Sequence, residues 1–181
     1  MLNVGDFREL VVRPALRHLA EQGFRPGLWS PAAENLVVGT AAHESGGFRY
    51  LWQRQANGVR LAHEQAGRGL FQIQPDTHQA MWLNYLRFRP PLMAALRDLS
   101  IWARRAIRPE NGPADDQELI GNLPYAAAVC RLIYWRKKPP LPPADDIEGL
   151  AKYWGQHYQT ENDPKKIKAF ISDYRRYVEK E

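Results

Sequence analysis

One carboxylate in this chain is placed to do acid chemistry. Glu44 follows Ala41, Thr40 and Val37 by three, four and seven residues, a spacing that puts all four on the inward stripe of a helix. A carboxylate facing inward is costly to ionise, so desolvation raises its pKa above the ordinary value of about 4.3. Gly46-Gly47 follow directly and should end the helix, leaving Glu44 at its negative dipole end. Both effects favour the protonated acid near neutral pH, the form that protonates a glycosidic oxygen. The competing reading is a carboxylate at a frayed helix end, solvated or paired with an arginine.

A hydrolase that activates water, or forms a sugar ester, needs a second carboxylate at a defined separation. Glu64 and Asp76 are the candidates, and Asp76, directly after Pro75, reads better as a helix cap. Trp52, in an irregular region, is the aromatic best placed to stack on a sugar, while Trp82, Trp102, Trp135 and Trp154 have the helical spacing of core residues. His43 adjoins Glu44 but points about 100° away on a helix. His63, His78 and His157 show no metal-ligand spacing, so neither a metal nor a cofactor is expected. Cys130 reads as an inert core thiol. Arg104, Arg105 and Arg108, like Lys165, Lys166 and Lys168, read as solvated helix faces.

Two stretches carry a resemblance. Ala42-His43-Glu44-Ser45-Gly46-Gly47, then Gly67-Arg68-Gly69-Leu70-Phe71-Gln72-Ile73-Gln74-Pro75, resemble the paired signature of soluble-type lytic transglycosylases and related lysozyme-like domains. The resemblance implies cleavage of the MurNAc-GlcNAc bond of bacterial peptidoglycan with one carboxylate, giving 1,6-anhydro-MurNAc ends. Glu44 would be acid and then base. Ser45 would support the substrate or that carboxylate. Gly69, Leu70, Phe71, Gln72 and Ile73 would line the cleft floor, with Gly69 allowing close backbone approach and Gln72 offering donor and acceptor. Tyr158, or alternatively Tyr153, would contact the catalytic acid, although Gln159 stands where relatives usually carry Asn. The alternatives are a muramidase using Glu64 and a catalytically weak virion or tail module on the same scaffold.

These residues need a scaffold. The chain has 181 residues, 44% of them hydrophobic and six of them Trp, enough for one core. We expect a mainly α, lysozyme-like fold with a small β-hairpin lobe flanking a cleft: one domain over 1–181, with 1–29 a helical extension and the core at about 30–178. Asp6 should cap a first helix carrying Leu10, Val11, Ala15 and Leu19, kinked at Pro14. Ser30-Pro31 should start the Glu44 helix. Leu70 to Gln74 alternate as a short strand would. Asp76 or Thr77 should cap the next helix, and Pro90-Pro91 should start another, with Leu92, Leu96, Leu99 and Ala103 on one stripe. Tyr125 to Trp135 should be the central buried helix. Lys137 to Pro143 should be a loop within the domain. Asn162 or Asp163, with Pro164, should start the last helix.

No apolar run approaches the roughly 18 residues of a membrane span, and the N-terminus has no export signal pattern. The net charge of +5 suits an anionic wall, while no nucleic-acid-binding motif accompanies it. These features lean toward a phage-encoded protein, carried in the virion among tail proteins or made in the host cytoplasm and delivered to the wall.

Overall fold

A computed structural model describes residues 2–55, 57–62, 64, 66–101, 115–159 and 162–180. His63, Trp102, Ala103, Arg104, Arg105, Arg108 and Thr160 lie outside the described residues.

Eight helices make up the described part. α1 begins at Val4–Asp6, widens into a π-helical stretch at Phe7–Val12 and continues as Arg13–Gln22. Its cap is Asn3, whose Oδ1 accepts from the Asp6 N–H at 2.7 Å, and not Asp6. The wide turn precedes Pro14, which has no N–H to donate back along the helix. An extra residue per turn rotates the stripe: Phe7 and Val12 are buried while Leu10 is 72% exposed.

α2, Pro31–Glu44, starts as expected, with Ser30 Oγ accepting from the Ala33 N–H at 3.1 Å. It ends at Gly46 and Gly47, with φ of +62° and +76°. α3 is Pro75–Asn84, and Gln74 precedes it without a side-chain cap. Pro75 itself fixes the first turn, so neither Asp76 nor Thr77 caps it. α4 is Pro90–Leu99 and α5 is Glu118–Gly121.

α6, Leu123–Trp135, is capped by Asn122 Oδ1 on the Tyr125 N–H at 3.2 Å. Ala127 to Cys130 and Leu132 are fully buried, as befits a helix apolar all round. α7 is Ile147–His157, and α8 is Pro164–Tyr177, capped by Asp163. α1 and α4 pack on α6, and α8 packs across α2 and α7. Phe7, Leu16, Leu19 and Leu28 join the same core as α2 and α6, so the N-terminal residues are built into it. No helix is long and apolar enough to cross a membrane, among the described residues.

The β-hairpin lobe is not seen. Among the described residues there is no strand, only isolated antiparallel bridges: Trp52 with Arg68, Arg54 with Arg60, and Arg68 with Ile73. The alternation of residues 70–74 misleads because 69–72 is a tight turn. Gly69 and Gln72 have φ of +68° and +50°, and both the Gln72 N–H and its Nε2 return to the Gly69 carbonyl, at 3.2 and 2.6 Å. The chain closes with Arg68 and Ile73 exchanging backbone hydrogen bonds of 2.9 and 3.1 Å.

Candidate active site

The last residue of α2 sits at the edge of a pocket of about 270 Å³ lined by Glu44, Gln53, Gln72, Ile73, Gln74, Thr77, Ile133, Tyr158 and Gln159. α2 supplies the acid, α6 supplies Ile133, and the turn before α3 supplies the glutamines. The end of α7 supplies Tyr158 and Gln159. Glu44 is half-buried. Its Oε1 accepts two hydrogen bonds, from Trp154 Nε1 at 3.0 Å and from Gln159 Nε2 at 2.7 Å. Oε2 has no donor among the described residues.

Burial pushes the Glu44 pKa up, against the pull of the His43 and Lys166 charges and the two N–H donors. Burial wins because neither donor is charged and, among the described residues, no cation forms an ion pair with the carboxylate. The donors also say where the proton sits. An oxygen accepting two N–H bonds has no room for its own hydrogen, so the acid form carries it on Oε2.

Trp154 is itself held in place. Its ring packs against Phe170 at 5.1 Å and edge-on to His43 at 4.7 Å. His43 Nδ1 lies 2.7 Å from Asp173 Oδ2. Asp173, His43 and Trp154 thus form a chain of contacts from α8 to the acid.

No family model, curated protein or solved structure matches this chain.

Of the residues expected at the site, the structure brings Gln72, Ile73 and Tyr158 to Glu44 and leaves the others elsewhere. Ser45 is fully buried. Its Oγ donates to the Ala41 carbonyl at 2.6 Å and accepts from the Phe48 N–H at 2.7 Å, so it closes the end of α2 instead of reaching substrate. Gly69 faces protein: a Cβ there would sit 1.7 Å from the Leu119 carbonyl. Leu70 and Phe71 are core residues, and Phe71 packs on Phe7 at 6.4 Å.

Phe71 reaches the pocket only through its carbonyl, which accepts from Tyr158 Oη at 2.7 Å. Tyr158 contacts the pocket wall but does not hydrogen-bond Glu44; Gln159, next to it, does. Tyr153 points away, donating to the Pro139 carbonyl at 2.9 Å. The Arg68 guanidinium covers the Trp52 ring at 4.1 Å, so that face is closed to a sugar. Glu64 is exposed and lines an adjoining pocket of about 340 Å³ that shares Gln53 and Gln74 with the first.

The site also takes in Gln53, Gln74, Thr77, Ile133 and the Trp154 N–H, none of which the sequence reading assigns to it. The glutamine-rich stretch between residues 46 and 75 was the available signal for the first two. Trp154 was masked by its core spacing. Among the described residues no group of three His, Cys, Asp or Glu is placed to hold a metal. A larger open groove of about 780 Å³ runs along α8. Its lining includes Glu148, Lys168, Arg175 and Arg176 but no buried acid, so volume does not select it.

Proposed function

We propose that this chain cleaves the β-1,4 bond between MurNAc and GlcNAc in bacterial peptidoglycan as a lytic transglycosylase, with Glu44 as the one catalytic carboxylate. The observation that carries the reading is a desolvated Glu44 whose Oε1 is fixed by Trp154 and Gln159 while Oε2 is left to a ligand in the pocket. In the first step Glu44 Oε2 gives its proton to the glycosidic oxygen. The C1–O bond breaks with its electron pair going to that oxygen, and positive charge builds at C1. The carboxylate so formed is stabilised by the same two N–H donors. It then takes the proton of the muramic C6 hydroxyl as that oxygen bonds to C1, which returns Glu44 to its acid form and closes the 1,6-anhydro ring.

Gln53, Gln72 and Gln74 offer neutral donors and acceptors to N-acetyl groups and hydroxyls. The one-carboxylate route is favoured because no second acid lines the Glu44 pocket among the described residues. Glu64, in the adjoining pocket, keeps a muramidase as the second reading. Mass spectrometry of digested peptidoglycan separates them: anhydromuramic ends support the proposal, and reducing ends replace it with hydrolysis. Wild-type protein that releases nothing from several wall types, or Glu44→Gln that digests as well as wild type, would leave a scaffold module. A phage virion or lysis role is part of the same proposal and rests on the target alone.

A further inference from the structure

α6 also borders a second pocket, through Arg131, Tyr134 and Trp135. It occupies about 350 Å³ between the turn at Pro26–Leu28 and the segment after α6, and shares no lining residue with the Glu44 pocket. Tyr134 is the partition, ring-stacked on Tyr158 of the first pocket at 5.3 Å and 6.0 Å from Tyr153 of the second.

Three cations line this second pocket: Arg131, Lys137 and Lys138. Arg131 is only 3% exposed. Its Nε and Nη2 donate to the Leu28 and Gly27 carbonyls at 2.7 and 3.0 Å, which leaves Nη1 uncommitted. Its charge has no carboxylate partner among the described residues, and burial pushes its pKa down to about 10. Neither lysine has an acidic partner among the described residues.

Buried charges in folded proteins are nearly always paired, because an unpaired one is costly. Here, among the described residues, a buried guanidinium has no counter-charge and two ammonium groups sit at the same opening. That pattern fits a missing anion. A carboxylate brings one charge and two oxygens. A phosphate ester brings up to two charges and three strong acceptor oxygens, enough to engage a guanidinium and two lysines together. The remaining walls are apolar or aromatic: Trp135, Tyr153, Pro139, Pro140 and Leu141. The volume exceeds that of a bare phosphate and leaves room for a small organic group against Trp135.

We propose that this cleft is a binding site for a small phosphate ester, with the phosphate at Arg131, Lys137 and Lys138 and the organic group against Trp135 and Tyr153. The proposal is independent of glycan cleavage at Glu44, and its test reads binding alone.

Glycerol 3-phosphate, inorganic phosphate and glycerol are titrated into the full chain at constant ionic strength. Amide and side-chain N–H shifts are followed by NMR, with calorimetry alongside. Saturable shifts confined to the Arg131, Trp135 and Tyr153 neighbourhood, from both phosphates but not from glycerol, support the site. Tighter binding of the ester than of inorganic phosphate supports the placement of the organic group; equal binding overturns that placement.

Lys137→Gln with Lys138→Gln should weaken binding about tenfold without loss of fold, since Lys138 is exposed and Lys137 half-buried. Arg131→Lys should weaken it further if the variant folds, and the lysine pair decides the matter if it does not. The proposal is overturned by shifts that sodium chloride reproduces, or by a double variant that binds glycerol 3-phosphate as wild type does.

Discussion

α2 carries two glutamates ten residues apart, one buried and one half-buried, and they have opposite fates. Glu34 lies in the first turn, where the helix dipole favours an anion. Its carboxylate receives Arg13 Nε and Nη2 at 3.0 and 2.9 Å, Arg8 Nη1 at 3.2 Å and Trp29 Nε1 at 3.3 Å. Burial alone would raise its pKa, but the hydrogen bonds from Arg13, Trp29 and Arg8 outweigh it, and the pKa falls below the ordinary value. Glu44 lies in the last turn, where the dipole opposes an anion. It too accepts from a tryptophan N–H, but its other donor is a neutral amide, and its pKa rises. Each site has a tryptophan N–H donor, so it is the arginines and the helix end that separate them. One glutamate ties α1 to α2. The other sits beside a pocket with its pKa raised.

The comparison breaks most sharply at Glu44. Glu44→Gln keeps the shape and both donors' partner oxygen but holds no transferable proton. Release of muropeptides should fall about 10³-fold, measured by chromatography of digested wall, while the fold persists. Full activity in this variant would end the distinction. Glu34→Gln should do the reverse. It strands two arginines that are about a fifth and a third exposed, so the loss is smaller than for a fully buried pair, about 2 kcal/mol in urea unfolding. Activity per folded molecule should be unchanged.

The two acids should also differ in the sign of their pH dependence. Glu34, with its pKa lowered, contributes stability that is present above the unfolded value near 4.5 and is lost as pH falls through the folded value. Glu44, with its pKa raised, favours the fold below 4.5, and that contribution is lost as pH rises toward the folded value. Relative to wild type, Glu34→Gln should therefore lose ground as pH rises through the acid range, and Glu44→Gln should gain it above 4.5. Unfolding titrations across about pH 3 to pH 8 read both slopes, and equal signs would refute the assignment. The smallest effect is expected from Trp154→Phe. It deletes one N–H that favours the Glu44 anion, so the alkaline limb of the activity profile should move to higher pH, with a rate loss of about tenfold or less.

What could be read from the sequence was local chemistry. Ser30-Pro31 and Asp163-Pro164 start helices because a side-chain oxygen and a fixed φ act within one turn, whatever surrounds them. Glu44 could be placed at an inward helix end by counting from Val37. The floor of the pocket could not. Residues 69–72 alternate like a strand, but the close approach of Leu119, fifty residues later, admits only a glycine at 69 and turns the chain there. The same holds for the donors to Glu44, which come from residues 110 and 115 positions away. Leu10 was misplaced for another reason: the wide turn before Pro14 shifts a helix stripe without leaving a mark in the hydrophobic pattern. Helix spacing thus put Glu44 at an inward helix end, while Ser45, Gly69 and Tyr153 owe their positions to packing.

A single short stretch, residues 154–159, grips both sides of the cavity: Trp154 and Gln159 hold the acid, and Tyr158 holds the Phe71 carbonyl. The gap between Glu44 and the opposite wall is therefore set by a count of residues along the end of α7 and the two residues after it, much as the span of a caliper is set by its screw. Inserting or deleting one residue there would swing Tyr158 and Gln159 about 100° away from Trp154 and open the jaws without touching either of them.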